Sequence, residues 1–401
     1  MASGEGGEKD ICVSDAAVIL DEVRFKGLTP GEKYTLVTSL ADTETGELIE
    51  GAGTETVFSP RAGEGKVTPE VTLNALGLEG KSVTVFERLI EDDMTVAVHE
   101  DTGDEDQTVK FIEPSIGTEA RSEEGGHEAC VGLDVTLTDT VTYSGLDPGS
   151  EYTLKGVLMD KATGKPLKEG DKDITSEVNF TPERSDGKTE VKFTFNAVPL
   201  MGHETVVFET LYLGGHELCA HADIKDKGQT VLFKTPFLGT SASSGGEKRV
   251  RASEKTVIED KVIYKDLKSG VTYTLRGVLM DKDTGKPVTV HGKEVRAEKT
   301  FTAVSSDGTE TVEFSFDSVP LMGKRTVVFE SLYEKDTVIA SHEDIEDEGQ
   351  TVEFLKEETD LPVIVKTGDD TDMLPFAVAA SAAAAAIALA FILRKKEEKD
   401  A

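Results

Sequence analysis

One pattern of residues occurs three times along the 401-residue chain, and it limits the fold more than any other feature of the sequence. The pattern reads His-x-Asp-x-x-Asp-x-x-Gln-Thr, and its glutamines are Gln107, Gln229 and Gln350. Successive glutamines lie 122 and 121 residues apart. A period of this length is that of a whole domain and is too long for a solenoid unit. The chain is therefore predicted to contain three copies of one domain.

Short segments with alternating apolar residues predict β-strands in every copy. The segment 191–195, with the sequence VKFTF, is typical of them, and turn signals such as Asp147-Pro148-Gly149 separate one segment from the next. Such alternation indicates antiparallel strands with one face exposed to water. We predict an all-β protein of three tandem β-sandwich domains.

Two prolines mark the expected joints between the copies. Pro114 and Pro236 each bias the preceding residue towards extended backbone. The predicted domains are residues 1–113, with a truncated first strand, 114–235 and 236–356.

The C-terminal part of the chain has a different character. After a linker at 357–372, residues 373–393 form an apolar run, and residues 394–401 begin with three basic side chains. The run is long enough to cross a membrane as a helix, and basic residues after it indicate the cytoplasmic side. We therefore predict a transmembrane helix with the three domains outside the cell; an Ala-rich soluble helix is the alternative.

The segment before this run resembles the cell-wall sorting signal of Gram-positive surface proteins. It contains Thr367-Gly368, followed by the apolar run and the basic tail. The resemblance implies that a sortase cuts between Thr367 and Gly368 and links Thr367 to peptidoglycan. The chain departs from the family by having Ile364-Val365 where the family has Leu-Pro. A plain membrane anchor is the alternative.

Composition excludes several classes of function. The chain has 43 Lys and Arg against 77 Asp and Glu, a net charge of −34, so it lacks the basic surface that nucleic acid requires. No phosphate loop, HExxH motif or nucleophile elbow is present, which argues against an enzyme. Cys12, Cys130 and Cys219 have no CxxC spacing and are interpreted as free thiols; a Cys130–Cys219 pair is the less favoured alternative.

Each copy repeats the same set of ionisable and amide side chains. An Asp precedes or lies in an early strand, a Glu follows Val-Phe, and a His stands eight residues before the glutamine. The second and third copies also have a Gly-Thr pair near their start, at Thr118 and Thr240.

These motifs resemble the VaFE repeats of Gram-positive surface proteins, which are similar to the ester-bond domains of clostridial adhesins. The resemblance covers roughly residues 2–356. It implies Ig-like or CnaB-like sandwiches in which a first-strand Thr and a last-strand Gln become joined by an ester, promoted by Asp, Glu and His. Carried over, the set is Thr118, Asp139, Glu209, His221 and Gln229 in domain 2, and Thr240, Asp260, Glu330, His342 and Gln350 in domain 3.

The chemistry needs these residue types. A threonine hydroxyl is a poor nucleophile, so the histidine is expected to act as its base. Two close carboxyl groups share a proton, and the protonated one can donate to the glutamine carbonyl. Two rival nucleophiles remain: Thr140, which would also form an ester, and Lys261, which would form an amide. No cofactor or metal is required.

The first copy lacks one member of the set. It contains Asp21, Glu87, His99 and Gln107, but alignment through Cys12 and Cys130 puts the expected threonine one residue before Met1. We expect that domain 1 forms no ester in this chain. Since the N-terminus also shows no signal peptide, we expect the native product to begin upstream.

The favoured function is a wall-anchored extracellular stalk or adhesin shaft stabilised by autocatalytic esters. Its expected partners are sortase and peptidoglycan, the membrane through the C-terminal helix, and a host surface or matrix ligand. A ligand-binding adhesin module without cross-links is one alternative, and a wall-bound enzyme is another. Self-cross-linking is a single turnover, so the chain is not expected to be an enzyme.

Overall fold

The computed structural model describes residues 1–356, which form β-strands, three short 3-10 helices and the loops between them. Domain 1 contains β1 (Ala2–Ser3), β2 (Asp10–Ile11), β3 (Ala17–Asp21), β4 (Val23–Lys26), β5 (Tyr34–Asp42), β6 (Leu48–Phe58), β7 (Glu64–Val67), β8 (Glu70–Leu73), β9 (Ser82–Glu91), β10 (Met94–His99) and β11 (Thr108–Phe111). Domain 2 contains β12 (Ser115–Ser122), β13 (Glu128–Ala129), β14 (Val135–Ser144), β15 (Tyr152–Asp160), β16 (Lys165–Pro166), β17 (Lys168–Glu169), β18 (Lys172–Asp173), β19 (Thr175–Phe180), β20 (Gly187–Phe195), β21 (Glu204–Leu213), β22 (His216–His221) and β23 (Thr230–Phe233). Domain 3 contains β24 (Phe237–Ser243), β25 (Arg249–Arg251), β26 (Thr256–Lys265), β27 (Thr272–Asp281), β28 (Lys286–Pro287), β29 (Thr289–Val290), β30 (Lys293–Glu294), β31 (Arg296–Thr302), β32 (Gly308–Phe316), β33 (Arg325–Glu334), β34 (Thr337–His342) and β35 (Thr351–Leu355). The 3-10 helices are Glu105–Gln107, Val198–Leu200 and Val319–Leu321.

Each domain packs a small sheet against a large one. In domain 2 the small sheet has the order β12-β14-β20 and the large sheet follows β13-β23-β21-β15, with β19 and β22 pairing onto it. Domain 3 repeats this arrangement as β24-β26-β32 and β25-β35-β33-β27. The all-β prediction with three repeated domains is confirmed.

The start of each domain takes part in both sheets. In domain 2 the chain first runs antiparallel to β14 as β12 and then crosses to the large sheet as β13, where it pairs parallel with the last strand, β23. This crossing brings the first and last segments of the domain side by side. A side chain on β12 therefore lies beside residues just before β23.

Apolar residues from the two facing sheets form one core per domain. In domain 2 the alternating residues Leu137 and Val141 of β14 meet Leu154 of β15 and Leu211 of β21, all buried. Burial of every second residue explains why the strand pattern is visible in the sequence.

Domain 1 has the same plan but a shorter small sheet. Its β1 covers only two residues, and the residues matching the long strand β14 form two strands, β3 and β4. The register is the same in all three domains, because Ala2 pairs with Asp21 as Ala120 pairs with Asp139 and Ala242 with Asp260.

Within residues 1–356 no helix is long and apolar enough to cross a membrane. The predicted linker at 357–372, with Thr367 and Gly368, the apolar run at 373–393 and the basic tail at 394–401 lie outside the described residues.

Candidate functional site

A pair of carboxyl groups lies inside each domain. In domain 2 these are Asp139 on β14 of the small sheet and Glu209 on β21 of the large sheet, which are 0% and 1% exposed. Both occupy core-facing positions in their strands, where alternation would otherwise place apolar side chains. The packing of the two sheets thus brings together two acids that are 70 residues apart in the sequence.

Burial and mutual contact hold a proton on this pair. Burial, followed by the hydrogen bond and charge of Asp139, raises the pKa of Glu209 to about 11. Burial also raises the pKa of Asp139, although hydrogen bonds from Glu209 and Gln229 oppose it. Two carboxyl groups that are close together and buried away from water cannot both ionise cheaply. At neutral pH the pair therefore carries one proton shared between the two carboxyl groups.

The candidate cross-linking residues flank this pair. Gln229 is fully buried, and its Nε2 donates to Asp139 Oδ1 at 3.2 Å. The hydroxyl of Thr118 also lies near Glu209 and lowers its pKa, against the larger opposing effects of burial and of Asp139. The side chains of Thr118 and Gln229 thus meet at the Asp139–Glu209 pair.

A histidine and a further aspartate complete the arrangement. His221 on β22 pairs directly opposite Glu209, and its Nε2 lies 2.7 Å from Asp226 Oδ2. Burial opposes ionisation of Asp226, but hydrogen bonds from His221 and from the backbone N–H of Gly228 lower its pKa overall. Because Nε2 is held by a carboxylate, Nδ1 is the ring nitrogen left for proton transfer.

Domain 3 repeats the site with its own residues. Gln350 Nε2 donates to Asp260 Oδ2 at 3.4 Å, and His342 Nε2 lies 2.8 Å from Asp347 Oδ2. Burial, followed by the neighbouring Asp260, raises the pKa of Glu330 to about 9. Burial likewise raises the pKa of Asp260 to about 6. Domains 2 and 3 therefore have the same site geometry, although the sequences around their sites differ.

Buried polar atoms without hydrogen-bond partners are concentrated at these sites. Within residues 1–356 there are 16 such side-chain atoms, and 13 of them belong to the matched Thr, Asp, Glu and Gln residues. They include Thr118 Oγ1, Thr240 Oγ1 and the Oε1 atoms of Gln229 and Gln350. Native interiors rarely leave polar atoms unpaired unless a proton or a reaction accounts for them. The unpaired hydroxyl and amide carbonyl are the two groups that an ester would join.

Domain 1 assembles only part of the set. Gln107 Nε2 donates to Glu87, His99 Nδ1 lies 3.4 Å from Glu87 Oε2, and burial raises the pKa of Glu87 to about 9. The register places the equivalent of Thr118 one position before Met1, and the α-ammonium of Met1 lies 2.9 Å from Asp21 Oδ1. Strand β1, Ala2–Ser3, therefore has no threonine that faces the side-chain amide of Gln107.

The rival nucleophiles lie on the outer face of the small sheet. Thr140 follows the buried Asp139 and Lys261 follows the buried Asp260, so alternation directs both away from the acid pairs. Lys261 is exposed. The three cysteines are free, so the Cys130–Cys219 pair is not formed.

Two features of the site were not assigned from the sequence. Asp226 and Asp347 were visible as the second Asp of the repeated motif, but only the fold shows that they hold the histidines. Gly156 and Gly277 pair directly opposite Glu209 and Glu330. An added Cβ on Gly277 would lie 2.5 Å from Glu330 Oε1, so glycine provides the space for the carboxyl group.

Among residues 1–356, no three His, Cys, Asp or Glu side chains are arranged to hold a metal ion.

The fold and site define a class: tandem β-sandwich domains with a buried Thr, Gln and acid pair between first and last strands. A T-Q ester bond containing domain matches three stretches of the chain, residues 1–111, 114–233 and 236–354. The chain therefore belongs to the T-Q ester bond domain family. The resemblance to ester-bond domains is thereby confirmed.

Two solved structures of bacterial proteins are distantly similar. A Mobiluncus mulieris adhesin containing intramolecular disulfide, isopeptide and ester bond cross-links is 15% identical, with 54% of this chain and 80% of that chain covered and a TM-score of 0.30. The C-terminal domain of the Streptococcus agalactiae AgI/II polypeptide BspA is 7% identical, with 57% and 98% covered and a TM-score of 0.30. No curated protein matches the chain.

Proposed function

We propose that this protein is an extracellular adhesin shaft whose second and third domains cross-link themselves through Thr–Gln esters. The single observation that carries the proposal is the unpaired, buried hydroxyl of Thr118 and amide carbonyl of Gln229 at a protonated acid pair. The same pairing of atoms at Thr240 and Gln350 supports it independently.

In the proposed reaction, Thr118 Oγ attacks Cδ of Gln229. His221 accepts the hydroxyl proton through Nδ1, and the protonated member of the Asp139–Glu209 pair donates a hydrogen bond to the developing oxyanion. The Cδ–Nε2 bond then breaks, the proton passes to the leaving nitrogen, and ammonia departs. The products are one ester and one ammonia, with no oxidant or cofactor.

The reaction is proposed to run once per domain, so the chain is not an enzyme in the catalytic sense. Burial of the acid pair and the glutamine keeps water away, which protects the ester from hydrolysis.

A shaft role is supported by the position of the cross-links. Each ester would join the first strand of a domain to the segment before its last strand, as a disulfide would close a loop. Force applied at the two ends of the domain would then pass through the ester, and the strands could not be pulled apart.

Anchoring is proposed through the C-terminal segment. The apolar run 373–393 with its basic tail would span the membrane, and sortase would transfer Thr367 to peptidoglycan. A host surface or matrix ligand is the proposed partner at the outer end. The acidic net charge of −34 suits a solvated extracellular surface.

Intact-mass measurement of the purified full chain tests the proposal. We expect the mass to fall short of the sequence mass by two ammonia molecules, with two joined peptides after proteolysis. Gln229→Ala should restore one ammonia equivalent and remove only the domain 2 peptide, whereas Gln107→Ala should leave both esters in place. A parent protein with the unmodified mass would refute the proposal.

A further inference from the structure

A lysine outside the reacting set lies at the junction between the first strand and the last segment of domain 3. Lys248 Nζ donates to the backbone carbonyls of Ala242 and Gly349. Ala242 stands two residues after Thr240 on β24, and Gly349 immediately precedes Gln350. The ammonium therefore joins the two backbone segments that carry the groups to be linked.

These two segments already touch through one backbone hydrogen bond. The N–H of Ala242 donates to the carbonyl of Gly349 at 3.1 Å. The carbonyl groups of both residues converge on the Lys248 ammonium, which satisfies them with a charge-assisted hydrogen bond each. The two segments are thus held by one backbone hydrogen bond and by two further hydrogen bonds from Lys248.

Basic residues occupy the matched position in all three domains. The carbonyls of Lys9, His127 and Lys248 each accept an N–H from the last strand of their domain, from Lys110, Leu232 and Glu353 respectively. In domain 1, Lys9 Nζ donates to the carbonyls of Asp106 and Thr108 at 2.7 and 3.0 Å, the residues on either side of Gln107. The lysine contact with the glutamine segment is therefore found twice.

Two corresponding aspartates lie near the lysine in domains 1 and 3. Burial lowers the pKa of Lys248, and Asp260 and Asp347 act against this decrease. Burial lowers the pKa of Lys9 in the same way, opposed by Asp106, Asp104 and Asp21. Each lysine thus lies near the aspartate of the acid pair and near the aspartate that faces the histidine.

We propose that Lys248 is a positioning residue for ester formation in domain 3, holding the strand of Thr240 against the segment of Gln350. It contacts backbone carbonyls and none of the reacting atoms, so it acts on the distance between the hydroxyl and the amide. This inference rests on the proposed ester chemistry, since it concerns the rate of that same reaction.

Domain 2 provides an internal comparison. Its first strand and its glutamine segment are joined by the equivalent backbone hydrogen bond, from Ala120 N–H to the Gly228 carbonyl at 2.9 Å. The matched His127 is shorter; its Nδ1 is buried without a partner and its Nε2 lies 3.8 Å from Glu119 Oε1. The proposed domain 2 ester would therefore form without a lysine contact, and its rate should not respond to changes at Lys248.

The test follows both esters in the same molecule. The full chain, recovered unfolded and un-cross-linked from inclusion bodies, is refolded by dilution, and samples are quenched in acid and digested. Mass spectrometry then measures the joined peptides of domains 2 and 3 over time. We expect Lys248→Met to slow the domain 3 ester about tenfold, with the domain 2 rate unchanged. Lys248→Arg should restore most of the rate, because it keeps the charge and the donors.

Two controls separate positioning from general stability. Lys255→Met removes an exposed lysine of the same domain and should change neither rate. Unfolding midpoints of Lys248→Met and Lys248→Arg, each with Thr240→Ala to prevent the ester, should both lie well above the refolding temperature, so that the two rates are compared in folded domains. An unchanged domain 3 rate in Lys248→Met, or an arginine variant as slow as the methionine variant, would overturn the inference. Absence of any ester in the parent chain would instead refute the proposed function itself.

Discussion

At the residue scale, the acid pairs are the costly feature of these domains. Two carboxyl groups buried in a core destabilise the fold unless a proton is shared between them. Asp139 with Glu209 and Asp260 with Glu330 meet this condition, because burial raises the pKa of all four. The protonation state that makes the pair tolerable is the same one that the proposed reaction needs to activate the glutamine amide.

The raised pKa of Glu330 predicts a pH-dependent stability for the domain before it cross-links. Folded Glu330 keeps its proton up to about pH 9, whereas in the unfolded chain it loses it near about 4.3. Between these values the folded state binds more protons, so stability is fully present below the lower value and is lost as pH rises towards the higher one. The slope is up to about 1.4 kcal/mol per pH unit.

The full chain with Thr240→Ala, which cannot form the domain 3 ester, allows this to be measured. Its domain 3 transition in calorimetry should fall in temperature as the pH rises through this window. The matched variant Thr240→Ala with Glu330→Gln carries a neutral amide and should show a much shallower decline. Parallel pH dependence in the two variants would contradict a protonated Glu330.

At the element scale, strand register decides which side chains reach the acid pair. Thr118 reaches the acid pair because β12 places Ala120 opposite Asp139 and crosses to the large sheet beside β23. A shift of one residue would turn the threonine to solvent, since successive side chains point to opposite faces. The same alternation places Thr140 and Lys261 on the outer face of the small sheet, away from the acid pairs.

The glycine opposite each glutamate gives a prediction at this scale. Gly277→Ala would put a Cβ 2.5 Å from Glu330 Oε1 and against the ring of Phe314. We expect the carboxyl group to be displaced, the domain 3 ester to form at least tenfold more slowly, and the domain to lose about 1–3 kcal/mol from overpacking. Joined peptides quantified during refolding measure the first effect and chemical denaturation the second.

Gly117→Ala is the control, because an added Cβ at Gly117 meets nothing within 4 Å. It lies one residue before Thr118 and should leave both esters intact. A Gly277→Ala variant that cross-links domain 3 at the parent rate would show that the space beside Glu330 has no role.

At the scale of the whole molecule, the domains contact each other in sequence. Met201 packs against the cores of domains 2 and 3, and Leu218 against those of domains 1 and 2. Between domains 2 and 3, Glu334 Oε2 accepts the N–H of Leu133, and Lys268 pairs with Glu123 at 2.9 Å. Neighbouring domains are thus joined by both apolar and polar contacts, which suits the proposed shaft.

Stretching the full chain from its two ends should reveal the esters directly. With Thr118 joined to Gln229, the residues between them cannot extend, and domain 2 should give no unfolding step. Gln229→Ala should add one step of roughly 350 Å, the length of the released chain. It should also cost about 4–5 kcal/mol of domain 2 stability, as expected for opening a closed loop of this size.

Thr43→Ala, an unrelated threonine change in domain 1, serves as the control and should add no step. Force traces in which the parent chain and Gln229→Ala extend by the same total length would exclude a cross-link in domain 2.

The sequence alone determined the three repeated domains, the strand pattern and most residues of the candidate site. Strand periodicity and the repeated motif are local properties of the sequence. Aligning the three copies with one another shows which residues recur at matched positions. Only the tertiary structure decided which side chains meet. The partnership of Asp226 with His221, the space at Gly277 and the contacts of Lys248 with two backbone carbonyls depend on strands that are distant in the sequence. Such contacts are set by sheet packing and register, which local pattern does not encode.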